Sequence, residues 1–183
     1  MEIVGREVVR RGERWDLVAH TLRNRRGQIL RREFLDHPGA AAMLPILPDG
    51  RLALIRNFRH VVPATLLELP AGTRNPDEPF ERTAARELAE ETGYVAGRIA
   101  ALLDFYPSPG PTSELLRLFV CWELVPGPPR PEDDEELAVV PITLDDALDA
   151  TRNGTIRDAK TLIGLWHAEH LRRLRGERWH EGC

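Results

Sequence analysis

One stretch, Gly72 to Tyr94 (GTRNPDEPFERTAARELAEETGY), constrains this chain more than any other. Six acids fall within it: Asp77, Glu78, Glu81, Glu87, Glu90 and Glu91. At about 100° per residue on a helix, Glu87, Glu90 and Glu91 share one face. Like charges at that spacing repel, by roughly a few tenths of a kcal/mol per pair in an isolated helix. A divalent cation would offset that repulsion, and hard carboxylate oxygens select Mg²⁺ or Mn²⁺. A solvated acidic face is the plainer alternative for three glutamates taken alone.

The flanks favour the cation. Pro79 suits a first helical turn, with Glu78 and Glu81 where the helix dipole stabilises acids. Gly93 suits a helix end that needs positive φ. Phe80, Ala84 and Leu88 form an apolar stripe beside the glutamates. The carboxylates therefore stand at the margin of a buried face.

Composition bounds the rest. At 183 residues, 42% hydrophobic and 30% charged, the chain suits one soluble globular domain with a small extension. A net charge of −4 gives no reason to expect nucleic-acid or membrane partners. Arginine carries nearly all the positive charge, with Lys160 the only lysine. Cys121 lies in an apolar run and reads as a small core residue, and Cys183 ends a polar tail. No disulfide framework is expected, which suits a reducing cytoplasm. Neither a signal sequence nor a long apolar run is apparent.

Taken in order, residues 1–37 read as short strands and turns. A hairpin-like piece has strands over 15–22 and 28–35 joined at Asn24-Arg25-Arg26-Gly27. It carries little apolar surface and must lean on its own domain or another subunit. Residues 40–47 read as a buried strand, with 51–58 returning from the Pro48-Asp49-Gly50 turn. Residues 66–69, 99–105, 115–124 and 137–141 read as further strands. Residues 144–152 and 158–175 read as helices, the first capped by Thr143 and the second burying Leu162, Leu165, Trp166, His167 and Leu171. A proline-rich loop spans 106–114, a Pro/Gly linker 126–131 and an acidic run 132–136. The tail from Gly176 is expected to fray.

The stretch around the glutamates resembles the Nudix box, in which Gly72, Glu78, Arg86, Glu87, Leu88, Glu90, Glu91 and Gly93 match and Tyr94 is a looser fit. The resemblance implies an α/β (α+β) fold, an α/β/α sandwich with a mixed sheet, preceded by a small N-terminal β extension. It divides the chain into an N-terminal β segment (1–37), a Nudix domain (38–175) and a tail (176–183). It also implies metal-dependent hydrolysis of a nucleoside diphosphate linked to another group. Glu87 and Glu91 would be direct metal ligands, Glu90 a ligand or a bridge through water, and the Ala71 carbonyl a further ligand. Arg86, four residues before Glu90, would fix that side chain, or would simply lie on the surface. Two or more Mg²⁺ or Mn²⁺ ions per site are implied.

Segments outside the box resemble the ADP-ribose pyrophosphatase branch of the family. They are the lead-in Leu67 to Gly72, which contains Glu68, the strand end Asn57-Phe58-Arg59, Pro109 at 15 residues past Tyr94, the 106–114 loop and Ile156 to Thr161. On that resemblance Arg59 pairs with the diphosphate, Glu68 belongs to the substrate site, and Glu114 accepts hydrogen bonds from the terminal ribose. Glu135, with Asp133 and Glu136 as alternates, orients or deprotonates water or holds a metal, unless the run is a solvated loop. Trp15 and Arg32 are candidates for holding adenine, in their own site or a partner's, since the N-terminal strands of this branch often join a homodimer. Trp15 as core is the plainer alternative. The implied substrate is ADP-ribose, split to AMP and ribose 5-phosphate. The alternatives are another nucleotide sugar or alcohol, such as GDP-mannose or CDP-choline, and a non-catalytic nucleotide-sensing module, for which a damaged box would be expected.

Overall fold

The computed structural model describes residues 1–128 and 137–183. Two compact units emerge, one of residues 1–39 with 105–116, the other of residues 40–104 with 117–183.

The first unit is a three-stranded antiparallel sheet of β1 (Glu2–Arg10), β2 (Asp16–Arg23) and β3 (Ile29–Asp36), in that order. β2 and β3 form the expected hairpin, in register from Asp16 opposite Asp36 to Arg23 opposite Ile29. Asn24 closes its turn, its side chain accepting from the Arg26 and Gln28 amides. β1 is longer than the sequence pattern suggests. Its pairing with β2 shifts register between Ile3 and Gly5 and again between Val8 and Arg10. Each shift breaks the period of two by which a strand is recognised. Val18 and Ala19 are buried, whereas Ile3, Val8, Val9 and Ile29 are exposed.

The second unit holds two further sheets. β4 (Ala40–Pro45), β7 (Ala71–Thr73), β8 (Tyr94–Phe105) and β9 (Leu116–Pro126) form one, in the order β7-β4-β9-β8. β5 (Leu52–Arg59), β6 (Ala64–Glu68) and β10 (Leu137–Ile142) form the other, in the order β10-β5-β6. The sequence reads β4 and β5 as a returning pair across the Pro48-Asp49-Gly50 turn. The turn is present, with Gly50 at φ 83°, but only the bridge between Ile46 and Leu52 joins the two strands. Beyond it they enter different sheets; β4 is buried along its whole length and β5 over its first four residues.

Three helices pack on these sheets: α1 (Phe80–Thr92), α2 (Leu144–Arg152) and α3 (Ala159–Arg175). α1 ends at Gly93 in the left-handed region, φ 74°, where its amide bonds the Ala89 carbonyl. Its stripe is buried as expected: Ala84 and Leu88 join Met43, Leu47, Phe119, Cys121 and Leu124 in one core, with Phe80 at the edge. Burial pushes the Cys121 thiol far above its ordinary range, so it packs as a small inert side chain. α2 is capped by Thr143, which accepts from the Asp146 amide, and α3 by Asp158, which accepts from the Thr161 amide.

The face of α3 differs from expectation. Leu165 and Leu171 are buried, but Trp166 is exposed and lies under the Arg152 guanidinium at 5.6 Å. Small residues, Gly164 and Ala168, occupy the contact instead. A Cβ at Gly164 would fall 2.6 Å from Leu69 Cδ1, so a larger residue there would force that side chain to shift. The tail does not fray: residues Trp179–Gly182 form a 3₁₀ turn with Trp179 buried. Among the described residues no helix is long and apolar enough to cross a membrane.

Candidate active site

The box glutamates line α1 where it faces β7. Glu91 is buried, and its Oε2 accepts the Ala71 amide at 2.9 Å. Glu87 lies one turn earlier against the next residue of the strand. A Cβ on Gly72 would stand 1.9–2.2 Å from the Glu87 carboxyl atoms, so a larger residue there would push that side chain off the strand. Two carboxylates thus converge on the Ala71–Gly72 backbone, as the sequence pattern anticipates.

Arg86 holds the third and draws in a fourth. Its Nη1 donates to Glu87 Oε1 at 2.7 Å and to Glu90 Oε2 at 2.9 Å. Its Nε and Nη2 donate to Glu78 at 3.2 and 3.0 Å, and Nη2 also reaches the Thr73 carbonyl at 3.2 Å. The surface alternative for Arg86 therefore gives way to that of an organising cation, held above its ordinary range first by Glu78. Glu78 is fixed in turn by the Asn75 amide and the Thr83 hydroxyl. The Arg86 bonds hold its carboxyl down at about 2. The sequence reading missed this role of Glu78; its signal was the fixed position of that glutamate in the box.

Among the described residues no three acidic, histidine or cysteine side chains stand gathered at ligand spacing. Glu87 and Glu90 are turned onto Arg86 instead. The donor set nonetheless suits a hard cation: three carboxylates and a strand carbonyl are all oxygen donors, and a Cβ-free cradle at Gly72 admits them. Glu78, Glu87 and Glu90 all face the Arg86 guanidinium, three carboxylates to that one cation.

A second ionic group adjoins the lead-in to β7. Arg59, at the end of β5, donates from Nε and Nη2 to the two oxygens of Glu68, both at 2.9 Å. Glu68 is wholly buried at the end of β6, and its Oε2 also takes the Lys160 ammonium. Lys160 meets Asp158 at 3.0 Å. Asp158 accepts from the Thr161 hydroxyl, which accepts from the Leu69 amide. Burial alone would push the Arg59 guanidinium down, but Glu68, with Glu91 adding to it, holds it up. The sequence reading named Arg59 and Glu68 but not Lys160 as a partner; the lone lysine was its signal.

The remaining candidates lie in the first unit, apart from Glu135. Trp15 is 42% exposed, so it is not core; its ring stacks on His37 at 5.7 Å and 30°. Arg32 sits opposite His20 in the β2–β3 register, whereas Trp15 adjoins the Asp16–Asp36 end. The structure thus does not bring these two together within one chain; they stand five residues, roughly 16 Å, apart along the hairpin. Glu114 acts on the half-buried His37, whose imidazole is pushed down by burial and drawn partly back by that carboxylate. Ser113 accepts the His37 amide at 2.8 Å and donates to Asp36 at 3.1 Å, which anchors this loop to β3. Glu135, Asp133 and Glu136 lie outside the described residues.

An acidic helix face thus lies against a short glycine-bearing strand in this α+β framework. The NUDIX domain profile matches residues 36–163 of the chain. The chain is 32% identical over 177 residues to an ADP-ribose pyrophosphatase of Bacillus subtilis, covering 96% of both. It is 33% identical over 165 residues to a GDP-mannose pyrophosphatase of Cronobacter sakazakii, covering 83% of this chain and 85% of that one. A crystal structure of an ADP compounds hydrolase shares its fold, with a TM-score of 0.83 at 23% identity over 96% of each chain. The protein belongs to the Nudix family.

Proposed function

We propose that this protein is a Nudix pyrophosphatase that hydrolyses ADP-ribose to AMP and ribose 5-phosphate. The observation that carries the reaction class is the convergence of Glu87 and Glu91 on the Ala71–Gly72 backbone. Likeness to the ADP-ribose enzyme along nearly the whole chain, N-terminal sheet included, supports the substrate.

Hydrolysis of a diphosphate faces two barriers: the linkage is anionic, and water is a weak nucleophile at neutral pH. Bound Mg²⁺ or Mn²⁺, two or more ions, supplies charge neutralisation and a lower pKa for water. Glu87, Glu90, Glu91 and the Ala71 carbonyl are the residues that would hold them. Arg86 keeps Glu87 and Glu90 on the same side of α1 and tempers their repulsion. Arg59, anchored on Glu68 through Nε and Nη2, offers Nη1 to a phosphate oxygen. Glu135 takes the proton of the attacking water or orients it. Glu114 accepts from ribose hydroxyls, and Trp15 and Arg32 hold adenine by stacking and cation–π contact.

The two adenine candidates stand apart within one hairpin, which favours a homodimer formed through the N-terminal sheet, each chain completing the other's base site. The exposed apolar residues of β1 support such an interface. Two free thiols, Cys121 and Cys183, support a reducing cytoplasm.

A second substrate is favoured by the relatives that cleave GDP-mannose at similar identity. Phosphate release in Mg²⁺ from a panel of ADP-ribose, GDP-mannose and CDP-choline, with phosphatase added, decides between them. A higher kcat/KM for ADP-ribose is expected; a preference for GDP-mannose overturns the substrate assignment.

A further inference from the structure

Lys160 is the only lysine in a chain with 25 lysine and arginine residues. Every other lysine-or-arginine position is arginine, which singles out the ammonium at residue 160. The position is costly. Lys160 sits in the first turn of α3, where the helix dipole disfavours a cation, and it is buried, which strips its ammonium of water.

The geometry shows what offsets the cost. The ammonium serves two carboxylates at once, Glu68 Oε2 on β6 and Asp158 Oδ2 at the cap of α3. The Lys160 ammonium, a compact point charge with three rotatable donors on a flexible stem, meets both acids from the buried first turn of α3. Glu68 then has both oxygens committed to Arg59 as well, in a paired fork at 2.9 Å. Two cations and two anions close into a balanced set running from the start of α3 to the end of β5. Arg59 is its one half-exposed member, with 39% of its side chain accessible.

We infer that Lys160 is a positioning residue: by fixing Glu68 it sets the direction in which Arg59 presents Nη1 to the substrate diphosphate. The inference rests on the reading of Arg59 given above. Without the ammonium, wholly buried Glu68 keeps a charge with one partner fewer, and the guanidinium must move inward to serve it. The phosphate contact then weakens in ground state and transition state alike, so KM rises while kcat holds.

Steady-state hydrolysis of ADP-ribose in Mg²⁺ by wild type, Arg59→Ala, Lys160→Met and the double variant tests this. Lys160→Met is expected to raise KM about tenfold with kcat within about twofold, and to add less than about twofold once Arg59 is alanine. A lysine that merely supports the fold would lower activity equally in both backgrounds; that result, or an unchanged KM in Lys160→Met, overturns the inference. An unchanged KM in Arg59→Ala alone overturns the reading of Arg59 itself and is visible without touching Lys160. If Lys160→Met does not fold, Lys160→Gln, which leaves Glu68 and its Arg59 fork in place but removes the ammonium charge, carries the same expectations.

Discussion

Two ionic groups flank β7, and they are built on opposite principles. Around Arg86, one guanidinium faces Glu78, Glu87 and Glu90, with Glu91 close by on the same helix. Around Glu68, two cations face two carboxylates. The first group is unbalanced and partly open; the second is balanced and largely buried. A surplus of negative charge beside solvent attracts further positive charge, whereas a balanced set has what it needs and holds a shape. The comparison teaches where to expect chemistry and where to expect scaffolding, although both groups are made from the same residue types.

Breaking the unbalanced group should cost most. Glu91→Gln keeps an acceptor for the Ala71 amide but removes a ligand charge. Its kcat should fall by more than about 100-fold, beyond what loss of an orienting partner costs, with Tm nearly unchanged. A variant that melts early would instead mark Glu91 as structural. Glu135→Gln should lower kcat by about 100-fold with little change in KM, as expected for a general base. Wild-type turnover there would remove Glu135 from the site.

Disturbing the supports should cost less. Glu78→Gln leaves every proposed ligand in place but loosens Arg86, and an effect of about 10-fold on the Mg²⁺ concentration needed for half-maximal rate is expected. The smallest effect concerns acid stability. The Glu78 carboxyl is held at about 2 against an ordinary 4.5. A depressed folded pKa contributes stability that is complete above the ordinary value and is lost as pH falls toward 2. Unfolding free energies from urea titration should therefore favour wild type over Glu78→Gln at pH 7 by on the order of 1–2 kcal/mol and converge as pH drops below 4. A constant difference across that range would contradict the assigned cause.

Much of this was legible in the residues alone. The box spacing marks α1, its glycine stop and its glutamates, because helix ends and helix faces are local properties. The bulged β1 was not legible, since Ile3–Gly5 and Val8–Arg10 break the alternation that reveals a strand. Nor was the parting of β4 from β5, because a strand buried on both faces carries no sign of its neighbour. Trp166 misled for a related reason: apolar character does not disclose that Gly164 and Ala168 take the close contact. Of the supporting ions, Arg59 and Glu68 lie nine positions apart on adjoining strands, but Lys160 lies 92 positions from Glu68. No local pattern connects residues at that separation.

The central claim is that the acids of α1 gather divalent cations. Mn²⁺ binding, followed by the loss of the free-ion paramagnetic resonance signal, tests it without relying on turnover. Wild type should bind Mn²⁺, more tightly with a nonhydrolysable ADP-ribose analogue present, and Glu87→Gln/Glu91→Gln should lose that binding while remaining folded. Equal binding by the folded double variant and the wild type would contradict the account.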